Sequence, residues 1–165
     1  MVKLVVTGAA EDVNLADIGE LQHSIHRILL PTDGSEPAVK ATQYAVMLAK
    51  LFEASISAIY VDTGLEDVEL PDELLADDDF EGVHPSAKGL IVAYRIAHAN
   101  GVDCSIDVVR GGVAKRIVAT AESVGAGMIV LGDTGRTGLK RIALGSVAEA
   151  VVKAAEIPVL VIKAD

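Results

Sequence analysis

The residues best suited to chemistry form a glycine-rich basic segment, GDTGRTGLKRIALGS, at positions 132–146. An apolar run, MIVL, precedes it, and a helix-like run, VAEAVVKAA, follows it. The N–H groups at a helix N-terminus attract anions, and glycines leave room for a phosphate to approach the backbone. Arg136, Lys140 and Arg141 add positive charge. The segment therefore predicts a site for a phosphate-bearing ligand.

Neither of the two common phosphate-binding motifs is present in this segment. A P-loop requires a Lys before the final Ser or Thr, and no Lys precedes Ser146. A dinucleotide fingerprint requires Gly-x-Gly-x-x-Gly after the first strand, and that pattern is also missing. What remains is the spacing Gly132-x2-Gly135-x9-Gly145-Ser146.

The elements that must position this segment alternate along the chain. Ser35 is a suitable N-cap for a helix with Pro37 in its first turn. The patterns predict strands at 26–31, 55–61, 102–109, 127–132 and 157–163, and helices at 36–52, 85–100, 112–124 and 146–156. This alternation predicts a five-stranded parallel sheet with helices on both faces, a three-layer α/β sandwich. Ligands bind beyond the carboxyl ends of the strands in such sheets.

Charge is distributed unevenly over the 165 residues, whose formal net charge is −10. Positions 62–81 hold ten acidic residues and no Lys or Arg, and the rest of the chain is balanced at 14 acidic and 14 basic residues. An acidic balance argues against a nucleic-acid partner. The acidic segment predicts a long surface loop. Three roles for this loop stay open: a lid over the site, a contact for divalent cations at DDDFE, or a solvated loop with neither role.

Cysteine content and hydropathy bear on location. Cys104 is the single cysteine, which suits a reducing cytoplasm. No apolar run approaches the roughly 18 to 20 residues that span a bilayer, so no membrane association is expected. Positions 1–24 read as an N-terminal extension, in which a strand at KLVVT and a short helix at LADIGELQHS both remain open.

The glycine spacing resembles the nucleotide-binding motif of the universal stress protein family, Gly-x2-Gly-x9-Gly-Ser/Thr. ILLPTDGSEPAVKATQYAVMLAK is similar to the first strand and helix of that family, and MIVLG through PVLVIK is similar to its last third. The resemblance covers roughly residues 25–165. It implies a Rossmann-like fold of the adenine nucleotide alpha hydrolase-like type, in which strands one and four are central and adjacent.

The resemblance also implies a site for an adenine nucleotide: ATP, with or without Mg²⁺, and as further candidates AMP and cyclic AMP. Asp33 would lie beside the ribose and base, and the backbone of Val61 would meet the adenine. The remaining positions that match the family's contacts lie in the turn after strand one and around the glycine segment: Pro31, Thr32, Leu131, Gly132, Gly135, Arg136, Gly145, Ser146 and Val147.

Three residues depart from the family pattern. Gly127 stands where the family usually has Asp, and Thr134 where it often has Arg or His. Asp133 places a negative charge in the phosphate segment, which would weaken triphosphate binding, favour a Mg²⁺ complex or point to solvent.

Two of the candidate residues have structural explanations as well. Ser146 and Glu149 have the spacing of a capping box, and Asp33 is placed to stabilise the turn before Ser35.

No catalytic constellation is apparent in the sequence, and no metal-ligand spacing involves its histidines. We therefore expect a regulatory nucleotide-binding module that acts on an unidentified protein, rather than an efficient enzyme. A slow ATPase or nucleotide hydrolase and a nucleotide-free interaction protein remain alternatives. The apolar last strand, 157–163, resembles the strand through which the family forms homodimers.

Overall fold

A computed structural model describes residues 24–65, 68, 70, 82–134 and 144–163. The elements in chain order are β1 (Arg27–Pro31), α1 (Glu36–Phe52), β2 (Ser55–Asp62), α2 (Pro85–Ala99), β3 (Cys104–Arg110), α3 (Val113–Ser123), β4 (Met128–Gly132), α4 (Ser146–Ala154) and β5 (Val159–Ile162). All nine predicted elements are present, with bounds that differ by at most two residues.

The five strands form one parallel sheet in the order β3-β2-β1-β4-β5. The predicted five-stranded parallel α/β architecture is therefore confirmed, as is the prediction that the first and fourth strands are central and adjacent. The chain runs outward in one direction from β1 to β3 and in the other from β4 to β5. Consequently β1 and β4 lie where the strand order reverses, and their carboxyl ends border the crevice typical of this architecture.

Two hydrophobic layers cover the sheet, because alternate residues of a strand face opposite sides. Ile28 and Leu30 of β1 pack in the layer that contains Leu90 of α2, together with residues of α1. Leu29 packs in the other layer, with Ile117 of α3 and residues of α4. All three β1 residues are 0% exposed, so the central strand is buried on both faces, as is typical of a parallel sheet covered by helices on both sides.

Helix ends account for two of the shifted bounds. Strand β3 begins two residues later than predicted because the N–H of Val102 still donates to Ala97 O of α2, at 2.9 Å. Helix α4 ends at Ala154 rather than 156 because Ala155 already has extended backbone, with φ −74° and ψ 137°. Strand β5 then begins after Pro158, which has no N–H to give to the ladder.

The beginning of α1 confirms the N-cap that the sequence predicts. Ser35 has extended backbone, and its Oγ accepts a hydrogen bond from the N–H of Ala38 at 3.4 Å, with Pro37 in the first turn. In the part of the chain that the structure describes, no helix is long and apolar enough to cross a membrane. The alternatives weighed for positions 1–23 and for most of the acidic segment lie outside the described residues.

Candidate functional site

The turn after β1 is tied to the neighbouring strand and to itself. The N–H of Thr32 donates to Ile59 O of β2 at 2.8 Å, and the Thr32 side chain is buried. Asp33 Oδ1 accepts a hydrogen bond from the N–H of Ser35 at 3.0 Å. The turn-stabilising role considered for Asp33 is therefore present in the structure. It holds the half-buried carboxylate directly above the end of β1.

The backbone of Val61 points toward the same crevice. Ile59 O faces β1, where it accepts from Thr32, whereas Asp62 O faces β3, where it accepts from the N–H of Gly111 at 2.9 Å. Backbone groups two residues apart in a strand face the same side, so the N–H and C=O of Val61 face the β1 side. Because β1 ends at Pro31, no described residue continues the ladder at that level. Two backbone groups are thus aimed beyond the end of β1.

Gly132 at the end of β4 lies against the first turn of α1. A Cβ added to Gly132 would lie 2.8 Å from Pro37 Cβ and 2.9 Å from the Pro37 carbonyl carbon. The absence of a side chain at Gly132 therefore has a packing reason that does not involve a ligand. Leu131 beside it is buried in the layer of α3 and α4, and Pro31 is half-buried at the end of β1.

A backbone hydrogen bond holds the two ends of the glycine segment together. Asp133 donates its N–H to Ile162 O of β5 at 2.9 Å and accepts from the N–H of Gly145 at 2.8 Å. A Cβ added to Gly145 would lie 2.6 Å from Asp133 O. The segment therefore leaves the sheet and returns to the same point. Its middle, 135–143, lies outside the described residues and contains Gly135, Arg136, Lys140 and Arg141.

The predicted capping box at α4 is wrong. Gly145 is the N-cap, no side chain caps this end within the described residues, and Ser146 is the exposed first residue of the helix. The carboxylate of Glu149 instead pairs with Lys153 on the next turn, and that bond holds the pKa of Glu149 below its ordinary value. The reason is that α4 begins one residue earlier than the capping pattern assumes, so Ser146 is already helical and Gly145 takes the N-cap position.

The backbone N–H groups that the N-terminus of α4 offers to a ligand are not the amide of Gly145 but those of the residues after it. The N–H of Gly145 is already bonded to Asp133 O, so it is not available to a ligand in this arrangement. By helix geometry, the amides of Ser146, Val147 and Ala148 have no intrahelical acceptor. The positive end of α4 thus presents three successive N–H groups and the exposed Ser146 hydroxyl beside the end of β4.

One departure from the family pattern has a packing explanation. A side chain at Gly127 would overlap the Ser24 carbonyl oxygen, and its Cβ would lie 2.8 Å from Ile25 Cα. The N–H of Gly127 donates to Arg27 O at 2.9 Å. The chain entering β1 therefore passes directly over Gly127, which leaves no room for an aspartate at that position.

A second group of polar residues lies at the ends of β2 and β3, and sequence reasoning missed it. Asp62 is 3% exposed, and its carboxylate accepts from the N–H of Gly64 at 2.7 Å and from Arg110 Nη2 at 3.1 Å. The Gly64 N–H, and to a lesser extent Arg110, hold the pKa of Asp62 below its ordinary value. The Asp-x-Gly pattern of a turn was the available signal, but it was read only as part of the acidic segment.

The adjoining end of α2 is capped by a histidine. Nδ1 of His84 accepts a hydrogen bond from the N–H of Ser86 at 3.2 Å, and the His84 ring lies 6.4 Å from the ring of Tyr60. In the residues that the structure describes, no group of three or more His, Cys, Asp or Glu side chains could hold a metal ion.

The fold and these strand ends define a class: doubly wound α/β proteins of the Rossmann-like nucleotide-binding type. A family model described as "Universal stress protein family" matches residues 24–163. The chain belongs to the universal stress protein family.

Individual comparisons agree with this family. The chain is 40% identical over 145 residues to universal stress protein MJ0531 of Methanocaldococcus jannaschii, covering 83% of this chain and 81% of that protein. The structure of MJ0577, from the same organism, superposes with a TM-score of 0.68 at 29% identity, covering 86% of this chain and 98% of that one.

Several solved neighbours are complexes with adenine nucleotides, and two of them illustrate the likeness. A universal stress protein in complex with cyclic AMP has a TM-score of 0.63 at 22% identity and covers 84% of this chain and 97% of that one. A universal stress protein from Archaeoglobus fulgidus in complex with dAMP has a TM-score of 0.59 at 23% identity and covers 84% of this chain and 98% of that one. At these identities the likeness shows a shared fold.

Proposed function

We propose that this chain is an adenine-nucleotide-binding regulatory protein of the stress response, with ATP as its ligand. One observation carries the proposal: the amides of α4, the backbone of Val61 and the carboxylate of Asp33 border one crevice where the strand order reverses. The bound nucleotides of the two neighbours support an adenine ligand.

Each part of the crevice suits one part of the ligand. The three amides at the positive end of α4 and the Ser146 hydroxyl donate to phosphate oxygens. The carboxylate of Asp33 accepts hydrogen bonds from the ribose hydroxyls. The N–H and C=O of Val61 offer one donor and one acceptor to the adenine edge. Gly135 and Arg136 are proposed as further phosphate contacts because they match the family's motif positions. Mg²⁺ would enter with ATP rather than through a protein metal site.

Ser146 allows a test that separates binding from folding. Ser146 makes no cap bond, so Ser146→Ala should change the free energy of unfolding by less than about 0.5 kcal/mol. The same change should lower ATP affinity by about tenfold or more, because a hydrogen bond to a charged acceptor contributes at least about 1.5 kcal/mol. The matched control is Ser35→Ala, which removes a real cap and should cost about 1 kcal/mol of stability while leaving ATP affinity nearly unchanged.

Calorimetric titration of both variants would measure their ATP affinity, and urea unfolding would measure their free energy of unfolding. Mass spectrometry of the denatured purified protein would show whether adenine nucleotide copurifies. If the unchanged protein binds neither ATP, AMP nor cyclic AMP, the proposal is wrong. Turnover of bound ATP at an ordinary enzyme rate, about 1 per second or faster, would instead support the nucleotide hydrolase.

A second candidate function is a nucleotide-free interaction protein, and one observation favours it. The glycines at 132 and 145 are both explained by packing, and the N–H of Gly145 is bonded within the chain. Absence of nucleotide binding in the titration, with the fold intact, would support this candidate.

We further propose a homodimer formed through β5, the apolar edge strand. Ile162 O faces β4, where it accepts from Asp133, so the N–H of the neighbouring Val161 faces outward. Val161→Pro removes that outward donor without removing a β4–β5 bond, and the variant should sediment as a monomer. The control Val161→Thr keeps the N–H and the branched shape and should remain a dimer. An unchanged protein that sediments as a monomer would contradict the proposal.

A further inference from the structure

We propose that residues 1–23, the N-terminal segment, pack against an exposed apolar surface on the outer side of α1. This surface, the α1 stripe, consists of Tyr44, Met47 and Leu51. The N-terminal segment lies outside the described part of the chain, which it joins at Ser24. The proposal does not depend on nucleotide binding.

The α1 stripe faces away from the core. Tyr44, Met47 and Leu51 are 41%, 48% and 66% exposed, and they are three of the six large apolar side chains left exposed in the described ranges. Their spacing of three and four residues places them on one side of the helix. The buried face of α1, which includes Ala41 and Ala45, lies about half a turn away, since each residue turns the helix by about 100°. Grouped on one face, such side chains mark a contact surface, whereas single ones would not.

The described chain begins beside one end of this stripe. Ile25 packs against the same core layer as Phe52 of α1, so the chain enters the fold on the α1 side of the sheet. His26 O accepts a hydrogen bond at 3.0 Å from the N–H of Ser55, which follows closely on the end of α1. Leu51 therefore lies at the end of α1 nearest to the junction with the N-terminal segment.

The N-terminal segment is long enough to reach the whole stripe. From Tyr44 to Leu51 the helix rises about 10 Å, whereas the N-terminal segment would extend about 35 Å even at the helical rise. Because it belongs to the same chain, this segment meets the stripe at an effective concentration on the order of millimolar. At lower protein concentrations it therefore outcompetes a second copy of the chain that has equal affinity for the stripe.

The residues of the N-terminal segment suit this surface. Leu15, Ile18 and Leu21 recur at every third position shortly before the junction. The segment holds four acidic residues and one lysine, whereas the exposed Lys50 follows Met47 by three residues and so borders the stripe. Apolar burial provides most of the contact, because exposed ion pairs contribute little. The opposite charges favour this segment over one of the same hydropathy with basic residues.

The test is the alkylation rate of Met47→Cys by iodoacetamide, measured by mass spectrometry in the full chain. A second chain carries Leu15→Ser, Ile18→Ser and Leu21→Ser in addition. The control reporter is Ala119→Cys, at an exposed position of α3 on the opposite face of the sheet.

Two further controls separate contact from folding. Asn14→Ser with Gln22→Ser changes positions of the N-terminal segment that are already polar. Cys104 reports folding in every sample, because burial raises the pKa of its thiol to about 11 and keeps its reaction slow while the fold is intact. Leu51→Ser alters the stripe and leaves the N-terminal segment unchanged.

With the N-terminal segment unchanged, we expect Met47→Cys to react about tenfold more slowly than Ala119→Cys. The three apolar-to-serine changes should remove this protection, as should Leu51→Ser, and should change the Ala119→Cys rate less than about twofold. Asn14→Ser with Gln22→Ser should preserve the protection, which should also be independent of protein concentration.

Two outcomes would overturn the proposal. One is a Met47→Cys rate that neither the apolar-to-serine changes nor Leu51→Ser alters while Cys104 stays slow. The other is protection that is lost on dilution, which would assign the α1 stripe to a second copy of the chain.

Discussion

Gly89 of α2 lies directly against Gly34 in the turn after β1. A Cβ added to Gly89 would lie 2.6 Å from Gly34 N, 2.7 Å from Gly34 Cα and 2.9 Å from Thr32 Oγ1. Gly34 has a φ of +77°, and a side chain there would overlap the carbonyl oxygen of Pro85. Helix α2 therefore braces the turn that presents Asp33 through contact between two backbones, with no side chain between them.

Gly89→Ala should destabilise the protein by about 1–3 kcal/mol, because the atoms that the new methyl group would meet are mostly backbone. It should also weaken ATP binding, since relief of the overlap displaces the Asp33 turn. Urea unfolding and calorimetric titration would measure the two effects. The control is Gly112→Ala, where φ is −70° and an added Cβ meets nothing within 4 Å. Its cost should be about 1 kcal/mol or less, and equal losses in both variants would contradict the packing argument.

Asp62 should make stability depend on pH at the acidic end. Its pKa in the folded protein lies below the ordinary value of 3.8, chiefly because the N–H of Gly64 donates to it. A lowered folded pKa contributes stability that is present above about pH 5 and is lost as the pH falls through the folded pKa. Asp62→Asn should therefore be less stable than the unchanged protein at pH 7, and its stability should fall less steeply between about pH 5 and 3.

Arg110→Met separates the two partners of Asp62. The N–H of Gly64 remains in this variant, so its pH dependence should lie between those of the unchanged protein and Asp62→Asn. Urea unfolding at a series of pH values gives all three curves. Parallel curves for Asp62→Asn and the unchanged protein would show that this carboxylate does not contribute to acid stability.

Cys104 should react slowly with thiol reagents. Burial raises the pKa of its thiol to about 11, and the nearby charge of Asp103 adds to the shift. At pH 8 the thiolate is then scarce, and alkylation by iodoacetamide should be about a hundredfold slower than for an exposed thiol. Unfolding in urea should restore the ordinary rate, and Asp103→Asn should raise the native rate only modestly. Rapid native alkylation would contradict the raised pKa of this half-buried thiol.

Local patterns predicted most of the fold. The Ser35 cap and Pro37 specify the start of α1 within the segment itself, and the predicted helix at 36–52 matches the observed Glu36–Phe52. The aliphatic run of β1 predicted a strand buried on both faces. Such features depend on residues a few positions apart, so a single sequence contains them.

The site was less predictable, because its decisive contacts join distant parts of the chain. The hydrogen bond from Gly145 N–H to Asp133 O accompanies an α4 whose N-cap is Gly145 rather than Ser146. The passage of Ser24 over Gly127 explains why position 127 is a glycine, which comparison with the family motif did not explain. Asp62 was counted as one more acid in an acidic segment until β3 brought Arg110 beside it.

By itself the amino-acid sequence determined the order and type of the elements, the parallel sheet and the candidate crevice, because periodicity, capping residues and turn residues act over short range. Only the tertiary structure decided which backbone groups face that crevice and which glycines are required by packing. Those properties depend on neighbours that the fold alone brings together, at distances where a single added methyl group would not fit.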